Sequence, residues 1–476
     1  MYDSLRSFLE GLEGQEELCG IDVEVDPDWE VGTICREVFN RQGPAMVFNR
    51  VGSYKTPLVV GVLATLRRYA LALGCPPAMP EIRARWERAY AHPIKPMVVS
   101  PNTAPCKQVK TTDIDLYQDP FPVPKWHRLD SNPYLGTLHA VITKDPDTGW
   151  TNLGDYRNEL VGKDTLGALI IPFHHGALHW EKWRRLGKPM PVAIALGLEP
   201  YLNMVSVHSC PPGVDEYDLA GGLKGQPIEV TPAETSDLLV PANAEIVIEG
   251  EIPTDDFLPI EGPFGEYCGY MGDAVENCLY IKVKAVTHRE SPYFQGTLCA
   301  GPPSEGNLMC SVGRSVALWH HLETGGLPGI VNVCVTQAGC SSFHGVVAIR
   351  KMYPGHVRDV MGLAWTVPSF PCKHVTVVDE DIDPWNPGRV EWAMATTVRA
   401  GRDIEIVRNV KSWIVDPSSP RPRGGQRGGI VSDWLGIDAT RPIEAYQEQG
   451  CQFPESSDPP REWFDKVRER WTSYGF

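Results

Sequence analysis

The sequence predicts an α+β protein: a strand-rich, barrel-like central domain flanked by an N-terminal α/β region and a C-terminal α/β domain. Three observations predict it. Leu5, Phe8, Leu9 and Leu12 open the chain at helical spacing, ahead of short apolar stretches. From about residue 111 to 305 strand-forming runs dominate, broken by one helical pattern. The last third alternates strand and helix again.

In the first region, PAMVFNRVG and PLVVGVLAT read as apolar strands and EIRARWERAY as a helix. The Pro-rich stretch 92–109 reads as an irregular crossing. In the centre, VAIALGLEP, IEVTPAE, AEIVIEGEI and LYIKVKAVTHRE are β-rich, and the last two are expected to alternate between a buried and an exposed face. ALHWEKWRRLG is the one helix there, stopped by Gly187 with Arg184 and Arg185 in its last turn. SVALWHHLETGG, 315–326, is expected to be a connecting helix. Beyond it, IVNVCVTQAG, a helix over HGVVAIRKMYPGH, then HVTVVDEDID and RVEWAMATTV make up an α/β domain. RPRGGQRGG, 421–429, is expected to be a mobile loop. REWFDKVRERW, 461–471, is amphipathic through Trp463, Phe464, Val467 and Trp471, a face suited to its own chain or to a second subunit. The expected division is 1–110, 111–305, a connecting helix over 306–325, and 326–476.

Composition bounds the function. With 476 residues, 42% hydrophobic and 22% charged, the chain suits two or three globular domains. A formal charge of −16 argues against nucleic acid as a partner. No apolar run reaches the roughly 18–20 residues of a membrane span. The acidic N-terminus lacks the marks of a signal peptide, and the 13 cysteines show no framework spacing. A cytoplasmic protein with reduced thiols is expected. No nucleophile elbow, Walker loop, HExxH or GxGxxG after a strand is present, which excludes the common hydrolase, kinase and Rossmann classes.

Two segments carry chemistry. NLGDYRNELVG, 152–162, offers Arg157 in a turn-rich stretch, with Asp155 and Glu159 as local partners for it. EGPFGEYCGY, 261–270, offers Glu261 and Glu266 around a Gly-Pro-Phe-Gly insert. Residues five apart on a straight strand face opposite sides, but a turn at 262–265 could return both carboxylates to one cavity. An arginine between two carboxylates can hold a substrate acid, keep one glutamate ionised and leave the other to carry a proton. Phe264, Tyr267 and Tyr270 are candidates for an apolar wall around Glu266.

Arg157, Glu261 and Glu266 resemble the Glu-Arg-Glu constellation of the UbiD-like (de)carboxylases. VVDEDIDPWNPGRVEWAMATTVRAGRDIEI and LGIDAT resemble that family's C-terminal region, and the likeness runs from about residue 20 to 450. The resemblance implies a split-β-barrel-like central domain that binds prenylated FMN. It implies reversible, non-oxidative decarboxylation of an aromatic, heteroaromatic or α,β-unsaturated carboxylic acid, in which the cofactor takes up the electron pair released with CO2. Glu266 would donate the proton and Glu261 would relay it. Asn152, His175 and Glu216 fall where the family places ligands for Mn²⁺ or Mg²⁺, an O/N/O set fitting such an ion, beside K⁺. His174 competes with His175, and Asp215 and Asp218 flank Glu216. Leu153, Gly154, Asp155, Tyr156, His174 and Lys373 join the cofactor-binding set, Lys373 near the flavin phosphate. A flavin prenyltransferase would supply the cofactor, and a homodimer or higher homo-oligomer is expected. The alternatives are a flavin-binding reductase, an enzyme working mainly as a carboxylase, a metal-dependent hydrolase using Glu261 and Glu266, and a scaffold protein. Residues 308–310, 335–344 and 365–370 are candidates for the wall that selects the substrate.

Overall fold

The fold is that of a computed structural model, which describes residues 1–172, 174–208, 210–367, 370, 372–419 and 430–475. The expected loop at 421–429 lies outside the described residues, as do 368 and 369 of the proposed substrate wall.

The chain begins with the helix Leu5–Glu13, whose cap is a reciprocal pair between Ser4 and Ser7. It buries Leu5, Phe8, Leu9 and Leu12 on one face. A four-stranded sheet follows in the order Leu18–Ile21, Ala45–Phe48, Leu58–Val60, Phe294–Gln295. Its last strand comes from beyond the central domain and runs parallel to Leu58–Val60, so the chain returns to its first region before leaving it.

The central sheet has ten strands. Eight form a path: Tyr134–Gly136, Asn158–Gly162, Thr165–Ala168, Val275–His288, Ile246–Ile252, Met190–Leu196, Ala140–Lys144, Thr151–Gly154. Leu258–Glu261 and Val109–Thr111 pair with the two ends of the 14-residue strand Val275–His288. Every pairing along the path is antiparallel. Residues 155–157 alone join the last strand of the path to its second, a reach of roughly 10–14 Å. The sheet must therefore curl until its two edges approach, which makes a split half-barrel with Arg157 at the split.

The strand Ile246–Ile252 does not alternate as expected: all of its residues but Glu251 are buried. Ile246, Ile248 and Ile252 face one apolar cluster while Val247 faces another. Ala193 and Ala195 likewise sit opposite Val192, Ile194 and Leu196. A sheet covered on both sides needs apolar residues on both, so its strands lose the period-2 signal.

The connecting helix spans Glu305–Thr324, one residue off the division at 306–325 and ten residues ahead of the apolar run that begins at 315. Ser304 caps it, accepting from the Asn307 N–H at 3.2 Å. Gly306, Cys310 and Gly313 blur its first half in sequence.

The C-terminal sheet has the order Ile330–Val335, His344–Ile349, His374–Asp379, Val431–Ala439, Ile404–Lys411. The expected helix over 344–356 is a strand in this structure, parallel to His374–Asp379, and the helix begins only at His356. Val346 and Ala348 pack on one cluster, Val347 and Ile349 on another. A short run buried on both faces carries no periodicity that separates strand from helix. RVEWAMATTV lies in the helix Pro387–Thr397, capped by Asn386. The helix Arg461–Glu469 leaves Trp463, Phe464 and Val467 exposed, with exposed Trp471 just beyond it. Among the described residues no helix is long and apolar enough to cross a membrane.

Candidate active site

The split of the barrel and the turn after Leu258–Glu261 meet at Arg157. Glu261 ends that strand, opposite Val275. The chain then reverses through Gly262, whose φ of +81° is a conformation that glycine adopts without strain. The two-residue strand Phe264–Gly265 pairs with Met271–Gly272, and Glu266 follows at the start of a turn closed by Glu266 N–H to Tyr270 O at 2.9 Å.

This reversal brings the two carboxylates to one guanidinium. Arg157 Nε donates to Glu261 Oε1 at 2.9 Å and Nη2 to Glu261 Oε2 at 2.6 Å. Nη1 donates to Glu266 Oε1 at 2.5 Å. A fork that meets both oxygens of one carboxylate is the strongest form of this pair. The Glu261 side chain is wholly buried, whereas those of Arg157 and Glu266 keep 10% and 13% exposure. The guanidinium also lies 5.0 Å from the ring centre of Phe264.

Residues that the sequence reading did not single out hold this arrangement. Tyr134 donates its hydroxyl to Glu261 Oε1 at 3.0 Å and packs against Phe264 at 4.2 Å. Asp130 Oδ1 accepts from the Gly265 N–H at 2.9 Å and also pairs with His127, which meets the Cys299 carbonyl at 2.7 Å. Glu159 is not a partner of Arg157. It accepts from the Gly262 N–H at 3.0 Å and from Asn132 at 2.8 Å. Asp155 turns instead to His139 at 3.0 Å. Nothing local in the sequence marks Tyr134 or Asp130 for this turn, because each reaches it from more than a hundred residues away.

Of the three aromatic residues expected around Glu266, Phe264 is buried and Tyr267 is largely buried. Tyr270 is 64% exposed and forms no part of the wall. The thiols of Cys299 and Cys310 are both pushed up by burial; the charge of Glu266 also acts on Cys299, and the charges of Arg314 and Asp155 on Cys310.

A second cluster forms on the other edge of the split, around the strand Thr151–Gly154. Asn152 is buried and directs its amide N–H groups to Thr143 Oγ1 at 3.3 Å and Tyr156 Oη at 3.4 Å, so its carbonyl oxygen is left for another partner. The neighbouring Leu153 N–H donates to Glu216 Oε2 at 3.1 Å. Glu216 opens the helix Glu216–Lys224 and is buried without a basic partner, and burial pushes its carboxyl up to about 8. Asp215 is the cap of that helix, accepting from Tyr217 N–H at 2.9 Å, and Asp218 faces Lys95. His175 opens the helix His175–Arg185, lies 4.8 Å from the Trp150 ring and is held neutral by burial, the form in which imidazole binds a metal. His174 stacks on Tyr156 at 5.2 Å, with its buried Nδ1 unpartnered. Tyr156 also accepts from Gly176 N–H at 3.3 Å and packs its ring against Gly154, so the stretch 152–156 and the two histidines form one surface. A buried carboxylate without a cation, a free amide oxygen and a neutral imidazole fit a hard divalent ion.

Lys373 directly precedes the strand His374–Asp379. It donates to Asp416 at 3.1 Å and to Ser418 in the C-terminal domain. Asp416 is buried and holds the ammonium there. The acidic run at 379–383 ends a strand in solvent-facing turns, with Asp381 on Arg441.

Three family models match the chain. The 3-octaprenyl-4-hydroxybenzoate carboxy-lyase N-terminal domain matches residues 9–86, the Rift-related domain residues 97–303, and the C-terminal domain residues 307–433. The phenolic acid decarboxylase of Bacillus subtilis (strain 168) is 32% identical over 485 residues, covering 98% of this chain and 99% of the relative. The phenolic acid decarboxylase of Sedimentibacter hydroxybenzoicus is 31% identical, with 98% of each covered. Among solved structures, the UbiD-class enzyme HmfF from Pelotomaculum thermopropionicum in complex with FMN superposes with a TM-score of 0.86 at 35% identity, covering 96% of this chain and 98% of that one. An evolved dimeric form of the same enzyme in complex with prFMN gives 0.83 at 33% identity, covering 96% and 97%. The Sedimentibacter hydroxybenzoicus vanillic acid decarboxylase in closed form gives 0.86 at 29% identity, covering 99% of both chains.

Proposed function

The chain belongs to the UbiD family of carboxy-lyases, and on that premise we propose that it decarboxylates an aromatic, heteroaromatic or α,β-unsaturated carboxylic acid non-oxidatively and reversibly, with prenylated FMN as cofactor. The observation that carries the proposal is the single guanidinium of Arg157 shared between Glu261 and Glu266.

Arg157 has five N–H donors, of which the two glutamates take three. The remaining two can hold the substrate carboxylate and orient its C–CO2 bond. One cation then faces three carboxyl groups. That charge balance favours the protonated form of Glu266, which meets Arg157 by one contact, over Glu261, which meets it by two. CO2 leaves without the electron pair of the broken C–C bond. Glu266 delivers its proton to the carbon, forming the C–H bond, and Glu261 and Arg157 fix where that proton sits. In the reverse direction Glu266 takes the proton back. Phe264, Tyr134 and Tyr267 exclude water that would otherwise compete for the proton. Prenylated FMN, when bound, supplies the electron sink for the pair left on carbon.

Asn152, His175 and Glu216 would hold Mn²⁺ or Mg²⁺, with K⁺ beside it, as the anchor for the flavin phosphate; residues 153–156 and His174 would line that anchor. The exposed face of Trp463, Phe464, Val467 and Trp471 suits contact with a second copy of the chain. A flavin prenyltransferase is the expected supplier of cofactor, and a cytoplasmic location goes with it. The hydrolase alternative loses support because Glu261 is wholly buried and holds three hydrogen bonds from Arg157 and Tyr134, which keeps a water nucleophile away from it.

The test is production of the protein with and without a flavin prenyltransferase, followed by a screen of aromatic and acrylic acids for CO2 release. Visible absorbance and activity dependent on the prenyltransferase are expected. A colourless protein indifferent to that partner overturns the proposal.

A further inference from the structure

Asn152 can serve an ion only through its carbonyl oxygen, and an amide turned over would present N–H groups instead. The two ends of an amide are close in size and shape, so packing alone does not choose between them. Hydrogen bonds to the amide must.

Thr143 stands directly opposite Asn152 across the strand pair Ala140–Lys144 and Thr151–Gly154. It is fully buried, and among the described residues its hydroxyl meets two side chains. Asn152 Nδ2 donates to it at 3.3 Å, and His179 Nδ1 lies 3.0 Å away. A hydroxyl has one proton to give and lone pairs with which to accept. Because it accepts from Asn152, its own proton goes to His179 Nδ1. His179 then carries its ring proton on Nε2. Burial pushes the imidazole down to about 4, so the ring is neutral at neutral pH and Nδ1 is able to accept. His179 is fully buried, its Nε2 has no hydrogen-bond partner, and its ring stands at 90° to that of Trp150 at 4.9 Å. Tyr156, the other contact of the Asn152 amide, adds no bias of its own, since a phenol can give or take a proton.

The same parts touch the rest of the metal set. His179 lies one turn beyond His175 on the helix His175–Arg185, and Trp150 packs on both rings. Trp150 Nε1 donates to the Val214 carbonyl at 2.9 Å, two residues before Glu216.

We propose that Thr143 and His179 are positioning residues for the divalent ion: the chain from Asn152 to Thr143 to His179 turns the Asn152 amide so that its oxygen is offered to the ion and its N–H groups are held away. This inference rests on the metal set proposed above and names the residues that make Asn152 fit for it.

The experiment titrates Mn²⁺ into the full-length protein with FMN present and follows the free-ion signal by electron paramagnetic resonance. T143V keeps the shape and removes the acceptor, and should weaken Mn²⁺ binding about tenfold to a hundredfold. T143S keeps the hydroxyl and should stay within about threefold of wild type. H179F takes away the acceptor for the Thr143 proton and should weaken binding about tenfold. N152D separates orientation from packing, because a carboxylate presents oxygen at either end. T143V/N152D should therefore bind Mn²⁺ within about threefold of N152D. Equal losses from T143V with Asn152 or with N152D, or equal losses for T143V and T143S, overturn the proposal and leave Thr143 a packing residue. A T143V protein that binds Mn²⁺ as tightly as wild type overturns it while the metal set stands. A wild type that binds no Mn²⁺ overturns the metal set and this inference with it.

Discussion

Glu261 is fixed to Arg157 by two parallel hydrogen bonds of 2.9 and 2.6 Å, while Glu266 meets the same guanidinium through Nη1 alone. The asymmetry separates their tasks. A carboxylate gripped at both oxygens is an orienting group. One that the cation meets at a single oxygen is less strongly held in its ionised form and is the better proton carrier.

E266Q keeps the size of the side chain and an oxygen for Arg157 but carries no transferable proton. Turnover should fall about a hundred- to ten-thousand-fold, with flavin absorbance retained. CO2 release and the exchange of solvent deuterium into the decarboxylated product measure it. Turnover within twofold of wild type would remove Glu266 as the donor.

R157M leaves Glu261 buried with only Tyr134 as partner. An uncompensated buried carboxylate costs about 3–5 kcal/mol. The denaturation midpoint at neutral pH should drop accordingly, and it should recover in R157M/E261M, where the stranded charge is gone. A double variant no more stable than R157M would show that the pair is not what stabilises the turn.

How much of this was legible depends on where the information lay. Arg157, Glu261 and Glu266 stood out because two short segments each combined a charged group with turn-forming residues, and the reversal at 262–265 follows from its Gly and Pro. Tyr134, Asp130 and Glu159 act on that turn from more than a hundred residues away, through contacts that only the folded barrel creates. The strand His344–Ile349 was misread for a similar reason. Its apolar run is dictated by clusters on both faces, so neither period survives. Lys373 was placed by likeness alone, and the buried Asp416 that holds its ammonium is a partner nothing in the sequence marked.

Gly272 faces Glu266 so closely that a Cβ there would lie 2.9 Å from Oε1. The nearest obstacle is a flexible side chain, with the Phe264 carbonyl next at 3.3 Å, so G272A should cost about 1 kcal/mol in stability. Glu266 would have to swing away from Arg157. A fall in kcat of about tenfold to a hundredfold with little change in KM is expected. A normal kcat would mean that the proton donor tolerates displacement.

Glu216 is a buried carboxyl without a basic partner, and E216Q removes a group whose ionised form only a cation would match. Metal-free E216Q should be at least as stable as the metal-free wild type. Mn²⁺ at a hundredfold excess over its Kd should stabilise the wild type by about 2.7 kcal/mol and leave E216Q unmoved. An equal Mn²⁺ effect on both proteins would place the ion elsewhere.

Asp416 sets an acid limit on the C-terminal domain. Burial alone would raise its carboxyl, but Lys373 and hydrogen bonds from Ser418 and Ser412 bring it down to about 2. A carboxyl lowered on folding contributes stability above its unfolded value of about 3.9, and that contribution is lost as pH falls through the folded value. Between about pH 4 and pH 2 the wild type should therefore lose stability more steeply than D416N, whose neutral amide has no proton to take up. The difference between their denaturation midpoints should be largest near neutral pH, in favour of the wild type, and should shrink toward pH 2. K373M should shift the loss to higher pH, since Asp416 then keeps its burial but not its ammonium. Parallel curves for wild type and D416N across this window would show that the pair contributes nothing to folding.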